Sequence, residues 1–287
     1  MNAKKNLAEI HLAVLLFGLA GLFGKWIVLS PLMIVFGRVL FASITLALFL
    51  KLKRQRFSIS PRKNYLALAL LGFILAIHWA CFFQSIQVST VAVGLLSFST
   101  YPVFTTFLEP LLLKERIIKM NFLLSLICLA GVALIIPRFD LSHSTFVGVL
   151  WGLLSSLTFA LLTVLNRNLT QNLPSLVLAF YQDFFALIFL LPSYFVLQPA
   201  LSAKDVALLF LLGVFCTAGS HSLFIDGMKK IKAQTASLIH ALEPVYGIIF
   251  AFFLLREIPS WRTIWGGVMI LLSQAFIIEK FFRKKES

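Results

Sequence analysis

Apolar runs of about twenty residues follow one another along almost the whole chain, each closed by a short polar or basic segment. A helix rises ~1.5 Å per residue, so about twenty residues cross the ~30 Å hydrocarbon core of a bilayer. Ten such windows occur, at roughly 7–29, 31–52, 65–86, 88–112, 119–136, 146–165, 174–197, 205–225, 233–255 and 260–280. They are numbered below as spans one to ten. The strict apolar/polar alternation of barrel strands is absent, so the spans are expected to be helices. The pattern predicts an all-α integral membrane protein with very short loops.

The pattern is also written twice. One ungapped register superposes Leu96 on Leu238, Pro102-Val103 on Pro244-Val245, Leu113 on Leu255 and Glu115 on Glu257. The same register puts Lys25 on Arg167 and brings Pro31 within one residue of the match to Pro174. The repeat therefore covers nearly the whole chain: one five-helix copy at 1–137, a connector at 138–145 and a second five-helix copy at 146–287. Five is an odd number, so the second copy must enter the membrane upside down relative to the first. Two inverted repeats related by a pseudo-two-fold axis in the membrane plane mark a secondary transporter, with its substrate site between the copies near mid-depth.

Composition agrees. Apolar residues make up 60% of the 287 residues and charged residues 13%, about half the usual charged share. A mean hydropathy of +0.96 leaves too little polar material to coat a water-soluble surface. The net charge of +14 raises nucleic acid as a partner, but the basic residues sit in the short segments between spans and form no basic helix face. With the N-terminus in the cytoplasm, Lys4, Lys5, the run from Lys51 to Lys63, Lys114, Arg116, Lys119, Arg167, Lys229, Lys230, Lys232 and the C-terminal cluster all lie inside. Only Arg138, Lys204, Arg256 and Arg262 lie outside, so both termini are expected to be cytoplasmic. The lipid bilayer is the partner this distribution fits, and loop 51–64 would face anionic inner-leaflet lipid. The first apolar run lacks a small-residue cleavage site and reads as a retained span. Cys81, Cys128 and Cys216 each fall inside a span at spacings that fit neither disulfides nor metal, and no cofactor is expected.

An ionisable side chain at mid-membrane is costly unless paired or hydrated, so each one is a candidate for function. Glu243 lies at the centre of span nine and its repeat mate Tyr101 at the centre of span four, while His78 and Trp79 lie near the centre of span three. Ser237, His240 and Glu243 share one helix face, and a carboxylate beside an imidazole suits a proton relay or an amine site. Arg38 and Asp183 are the other deep charges. Arg38 would pair with Glu243 or Asp183, or hold a substrate carboxylate, and the sequence does not choose. Tyr181 and Trp151 are further aromatics, Trp151 being placed as an interfacial anchor. Gln84, Gln87, Asn166, His221, Asp226 and His11 fall near span ends, where hydration is cheap. Pro102 and Pro244 each remove a helix hydrogen bond and are read as hinges. Lys25, Glu115 and Glu257 are read as rim or gate residues. Gly18, Gly21 and Gly24, like Gly148 and Gly152, are spaced for close helix packing.

These features resemble the drug/metabolite transporter superfamily, EamA branch. The resemblance rests on Pro102 with "LLLKE" at 111–115, Pro244 with "LLRE" at 254–257, Lys25, Arg38 and "HWACFFQSIQVSTVAVGLL" at 78–96. It implies export of small metabolites, amino acids or drugs by alternating access in the bacterial inner membrane. Nothing resembles a nucleotide-binding G-x-x-x-x-G-K-[ST] loop, so a proton or counter-solute gradient would supply the energy, or transport is simple facilitation. The rival reading is an intramembrane lipid-modifying enzyme using His78, His240 and Glu243, but it lacks metal-binding spacing such as H-E-x-x-H. A non-transporting scaffold would need no polar groups at matched depth.

Overall fold

The computed structural model describes residues 3–55, 57, 59, 63–113, 119–170, 173–228 and 239–283. Among these the regular structure is entirely helical. The elements are α1 (Ala3–Trp26), α2 (Pro31–Leu52), α3 (Lys63–Val88), α4 (Val91–Phe98), α5 (Tyr101–Leu113), α6 (Lys119–Ile135), α7 (Ser144–Thr170), α8 (Ser175–Leu197), α9 (Ala203–Gly213), α10 (Ser220–Met228), α11 (Glu243–Phe250) and α12 (Trp261–Arg283). Two π-wound segments, Val214–Gly219 and Ala251–Leu255, join α9 to α10 and extend α11. Among the described residues, seven helical stretches are long and apolar enough to cross a membrane, with Phe122–Ile135 and Glu243–Leu255 as shorter apolar helices. The chain is a multi-pass membrane protein.

Spans four and nine differ from expectation. Each is broken: α4 ends before a turn at Ser99–Thr100, and α11 starts after a turn at 241–242. Pro102 and Pro244 do not kink continuous helices; they sit in the first turn of a new one. There the missing N–H costs nothing and the fixed φ favours the helix.

Side-chain contacts set the helix directions. Ser85 bonds Gly148 and His78 bonds Ser155, so spans three and six run antiparallel. Tyr65–Tyr181 and Phe73–Phe189 make spans three and seven parallel. The start of span two meets the end of span seven through stacked Phe36 and Tyr194. Ile135 lies on Gly266 and Gly131 on Ile270, so spans five and ten run antiparallel. The main packings between the two halves also come in exchanged pairs. Three on six matches eight on one, three on seven matches eight on two, and four on six matches nine on one.

Small residues permit the closest crossings, as membrane helices require. A Cβ on Gly18 would meet the Glu243 carbonyl oxygen at 2.8 Å, and one on Gly131 would meet the Gly266 carbonyl oxygen at 2.7 Å. Serine hydroxyls seat span six: Ser85 Oγ donates to Gly148 O at 2.6 Å, and Thr100 Oγ1 and Ser156 Oγ lie 2.9 Å apart.

Candidate functional site

Arg38 is the hub of the interior. It is fully buried. Its Nε donates to Thr217 Oγ1 at 2.8 Å, and its Cζ lies 3.4 Å over the Trp79 ring. Nη1 and Nη2 have no hydrogen-bond partner among the described residues. Thr217 belongs to the π-wound segment of span eight, and its hydroxyl donates in turn to Leu212 O at 2.9 Å. The wider turn presents the hydroxyl to both groups, a common use of π segments at functional sites.

Asp183 and Glu243 both lie within electrostatic reach of Arg38. Neither pairs with it directly. Asp183 leaves Oδ2 without a partner, and Glu243 Oε2 lies 3.7 Å from His240 Nε2. The pairing anticipated between Arg38 and one carboxylate is replaced by Trp79 on the guanidinium face and Thr217 on Nε. His240 and Glu243 come together as expected, but across the turn at 241–242 and not on one continuous helix, whereas Ser237 lies outside the described residues.

Two aromatic cages flank this hub. In the first, Phe98 lies 5.2 Å from Phe159 and 5.6 Å from Phe82, with His78 and Tyr101 alongside. In the second, His240 lies 5.7 Å from both Phe17 and Phe224, and Phe17 lies 5.4 Å from His221. His78 is buried, with Nδ1 2.9 Å from both the carbonyl oxygen and Oγ of Ser155. It therefore ties span three to span six while leaving Nε2 without a partner.

A cavity of about 210 Å³ opens between the cages. Trp79, Phe159, Asn166, Asp183, His221 and Phe224 are among its walls. It lies toward the end of the bundle where spans three and seven begin. Gln182 Nε2 donates to Asn166 Oδ1 at 2.5 Å on its rim. His221 and Asn166, expected near span ends, both line the cavity. Tyr181 does not line it; its hydroxyl donates to Phe57 O at 2.8 Å.

The opposite end is tied across by three hydrogen bonds. Lys25 Nζ donates to Ser89 O at 2.7 Å, Gln87 Nε2 to Leu29 O at 2.8 Å, and Val91 N to Glu257 Oε2 at 2.9 Å. Gln87 thus makes one of these ties. Trp151, 37% exposed, lines a second cavity of about 580 Å³ with Gln84, Cys81 and Phe73. Glu115 lies outside the described residues.

The EamA-like transporter family matches residues 8–136 and 146–279, nearly the full length. The chain belongs to this family. Relatives agree. An uncharacterized transporter, YxxF, of Bacillus subtilis strain 168 is 24% identical across 96% of this chain and 91% of its own length. The S-adenosylmethionine uptake transporter of Rickettsia conorii is 28% identical across 85% of this chain and 82% of its own. A solved crystal structure superposes with a TM-score of 0.65 at 15% identity, covering 99% of both chains, which shows a shared fold.

This EamA-like transporter is therefore a membrane carrier, and the lipid-modifying enzyme is set aside. Its His221, Phe224 and Phe17 were missed as site residues, although the repeat register pointed to them. That register carries Trp79 onto His221, Phe82 onto Phe224 and Phe159 onto Phe17.

Proposed function

We propose that the chain exports small organic solutes carrying both a carboxylate and a cationic group, such as amino acids and their derivatives, by alternating access. The observation that carries this reading is Arg38: buried, with two guanidinium nitrogens unpartnered, and near two carboxylates that it does not touch. A buried charge in this condition favours an anionic guest that can accept both nitrogens. Asp183, in the cavity wall, then faces the guest's cationic end, and Trp79, Phe159 and Phe224, also in the wall, stack on its apolar or planar part. The Rickettsia relative is named for S-adenosylmethionine uptake, and that molecule has the same two charged ends.

The two halves, 1–137 and 146–287, act as inverted repeats. The antiparallel pairs two–seven and five–ten and the exchanged packings support this. The distribution of Lys and Arg supports a bacterial inner-membrane orientation with both termini cytoplasmic, in which the cavity opens inward and loads from the cytoplasm. Pro102 and Pro244, at the two breaks, are the hinges. His221, His240 and Glu243, the polar counterparts of an aromatic cage, carry a proton in exchange for the solute.

The test is reconstitution. Vesicles containing the protein are loaded with radiolabelled amino acids, and efflux is followed with and without a pH gradient. Saturable efflux, accelerated by a proton gradient of inward sense, is expected. Efflux equal to that of empty vesicles for every zwitterion tried would overturn the reading.

A further inference from the structure

We propose that Glu257 holds the outer gate shut by capping α4, and that α4 is the moving part of that gate. The inference rests on the carrier reading above, but its test needs no solute.

All eight residues of α4 are buried, so this half-helix plugs the route from the tied end to the cages. Its N-terminus is unusually held. Thr90 caps Val93 N from within its own strand of chain, at 3.1 Å. The next donor, Val91 N, goes to a carboxylate of the other copy, Glu257 Oε2, at 2.9 Å. A charged acceptor at a helix N-terminus combines a strong hydrogen bond with the favourable end of the helix dipole. Glu257 reaches this position because span nine ends in a π-wound segment and a left-handed residue, Arg256 at φ 56°. The turn is closed by Glu257 N donating to Ala251 O at 3.2 Å. Lys25, donating to Ser89 O, grips the turn before α4 from span one.

The other end of α4 is the site. Phe98, its last residue, lies 5.2 Å from the His78 ring and 5.7 Å from Tyr101. The helix breaks at once after it, at Ser99–Thr100. One end of this short lever is latched by span nine, and the other end forms a wall of the first cage. Releasing Glu257 frees α4 to swing about the break before Pro102, admitting water from the tied end.

The test uses Val91→Pro. Thr90 has φ −127° and ψ 162°, the extended conformation that a residue before proline adopts, and proline is well accepted at the first helical position. The substitution removes the N–H that Glu257 accepts and changes no charge. The readout is alkylation of Ala92→Cys, a position 3% exposed, by a hydrophilic maleimide. The native cysteines are buried and supply the background rate. Val91→Pro and Glu257→Ala should each raise the alkylation rate about tenfold, the scale of one charge-assisted hydrogen bond. The double variant should react no faster than Glu257→Ala alone, because both changes break the Val91–Glu257 contact and only Glu257→Ala also removes the attraction between Glu257 and Lys25.

An unchanged rate in Val91→Pro, or rates that multiply in the double variant, would overturn the proposal. Val91→Pro alone decides the matter if Glu257→Ala does not fold. Should alkylation respond as expected while the wild type moves no solute, the latch stands and the carrier reading falls.

Discussion

Phe17 packs against the His240 ring at 5.7 Å, and the residues that the repeat register matches to them, Phe159 and Phe98, pack at 5.2 Å. The next contact is doubled as well: Phe224 on His240 at 5.7 Å and Phe82 on Phe98 at 5.6 Å. One cage is thus built twice, with rings alone at these positions in the first copy and an imidazole in the second. His240→Phe would make the cages alike. Flux is expected to stay within about threefold of wild type, since packing volume is nearly kept, while the solute-driven pH change in the vesicle lumen disappears. A lumen pH change of wild-type size in His240→Phe would place proton coupling elsewhere.

Arg38 should read the carboxylate of the solute. Phenylalanine and phenethylamine differ by that group alone. The wild type is expected to favour phenylalanine, and Arg38→Gln to lose that preference by about tenfold or more, the scale of a charged hydrogen-bond pair. Arg38→Lys should recover little, because a single ammonium cannot reproduce the flat guanidinium over Trp79. Competition of the two compounds against labelled phenylalanine measures this directly. Equal competition in the wild type would remove Arg38 from substrate recognition.

Glu243→Gln keeps the shape of the first turn of α11 and removes its charge. Export is expected to fall by at least about tenfold with membrane abundance unchanged, since a mid-membrane carboxylate is retained for function. Immunoblots of membranes beside efflux rates separate the two effects. His78→Ala differs: its ring ties Ser155 of span six, so abundance and thermal stability should fall along with flux.

Much of this architecture was legible in the chain. Spans read from apolar runs because lipid demands about twenty apolar residues per crossing, and the family resemblance carried by Pro102, Glu115, Pro244 and Glu257 proved sound. The breaks in spans four and nine were not legible. A proline in an apolar run marks a kink or a fresh start equally well, and only the turns before Tyr101 and Glu243 decide. Depth along a span misled for His221: it falls near the end of an apolar run, yet the π-wound segment before it and the cavity it lines make that level interior. The partners of Arg38 were also hidden, because an aromatic face and a threonine hydroxyl leave no charge pattern in the sequence.

Thr217→Val tests the support of Arg38. The substitution keeps the volume and removes the hydroxyl that accepts from Arg38 Nε and donates to Leu212 O. A further unpartnered nitrogen on a buried guanidinium should cost about 1.5–3 kcal/mol. A lower melting temperature is expected, and added substrate should restore part of the loss by occupying Arg38. A melting temperature equal to wild type would mean that the Trp79 face alone suffices.

The crossing of spans one and nine offers a test on two glycines of a single helix. A Cβ at Gly18 would lie 2.8 Å from Glu243 O and 2.9 Å from Gly247 N, both backbone atoms that cannot turn aside. A Cβ at Gly21 would meet only Val91, Ile86 and Leu95 side chains at 3.5–3.6 Å, ordinary contact distances. Gly18→Ala must push α11 away, at about 1–3 kcal/mol for overpacking, and it carries Glu243 with it. Gly21→Ala, on the same helix, should be neutral or slightly stabilising, since alanine is the better helix former. Melting curves of the two variants in one detergent give the comparison, and efflux should fail only for Gly18→Ala. Equal melting temperatures would show that spans one and nine separate freely, and that the close crossing does not fix the position of Glu243.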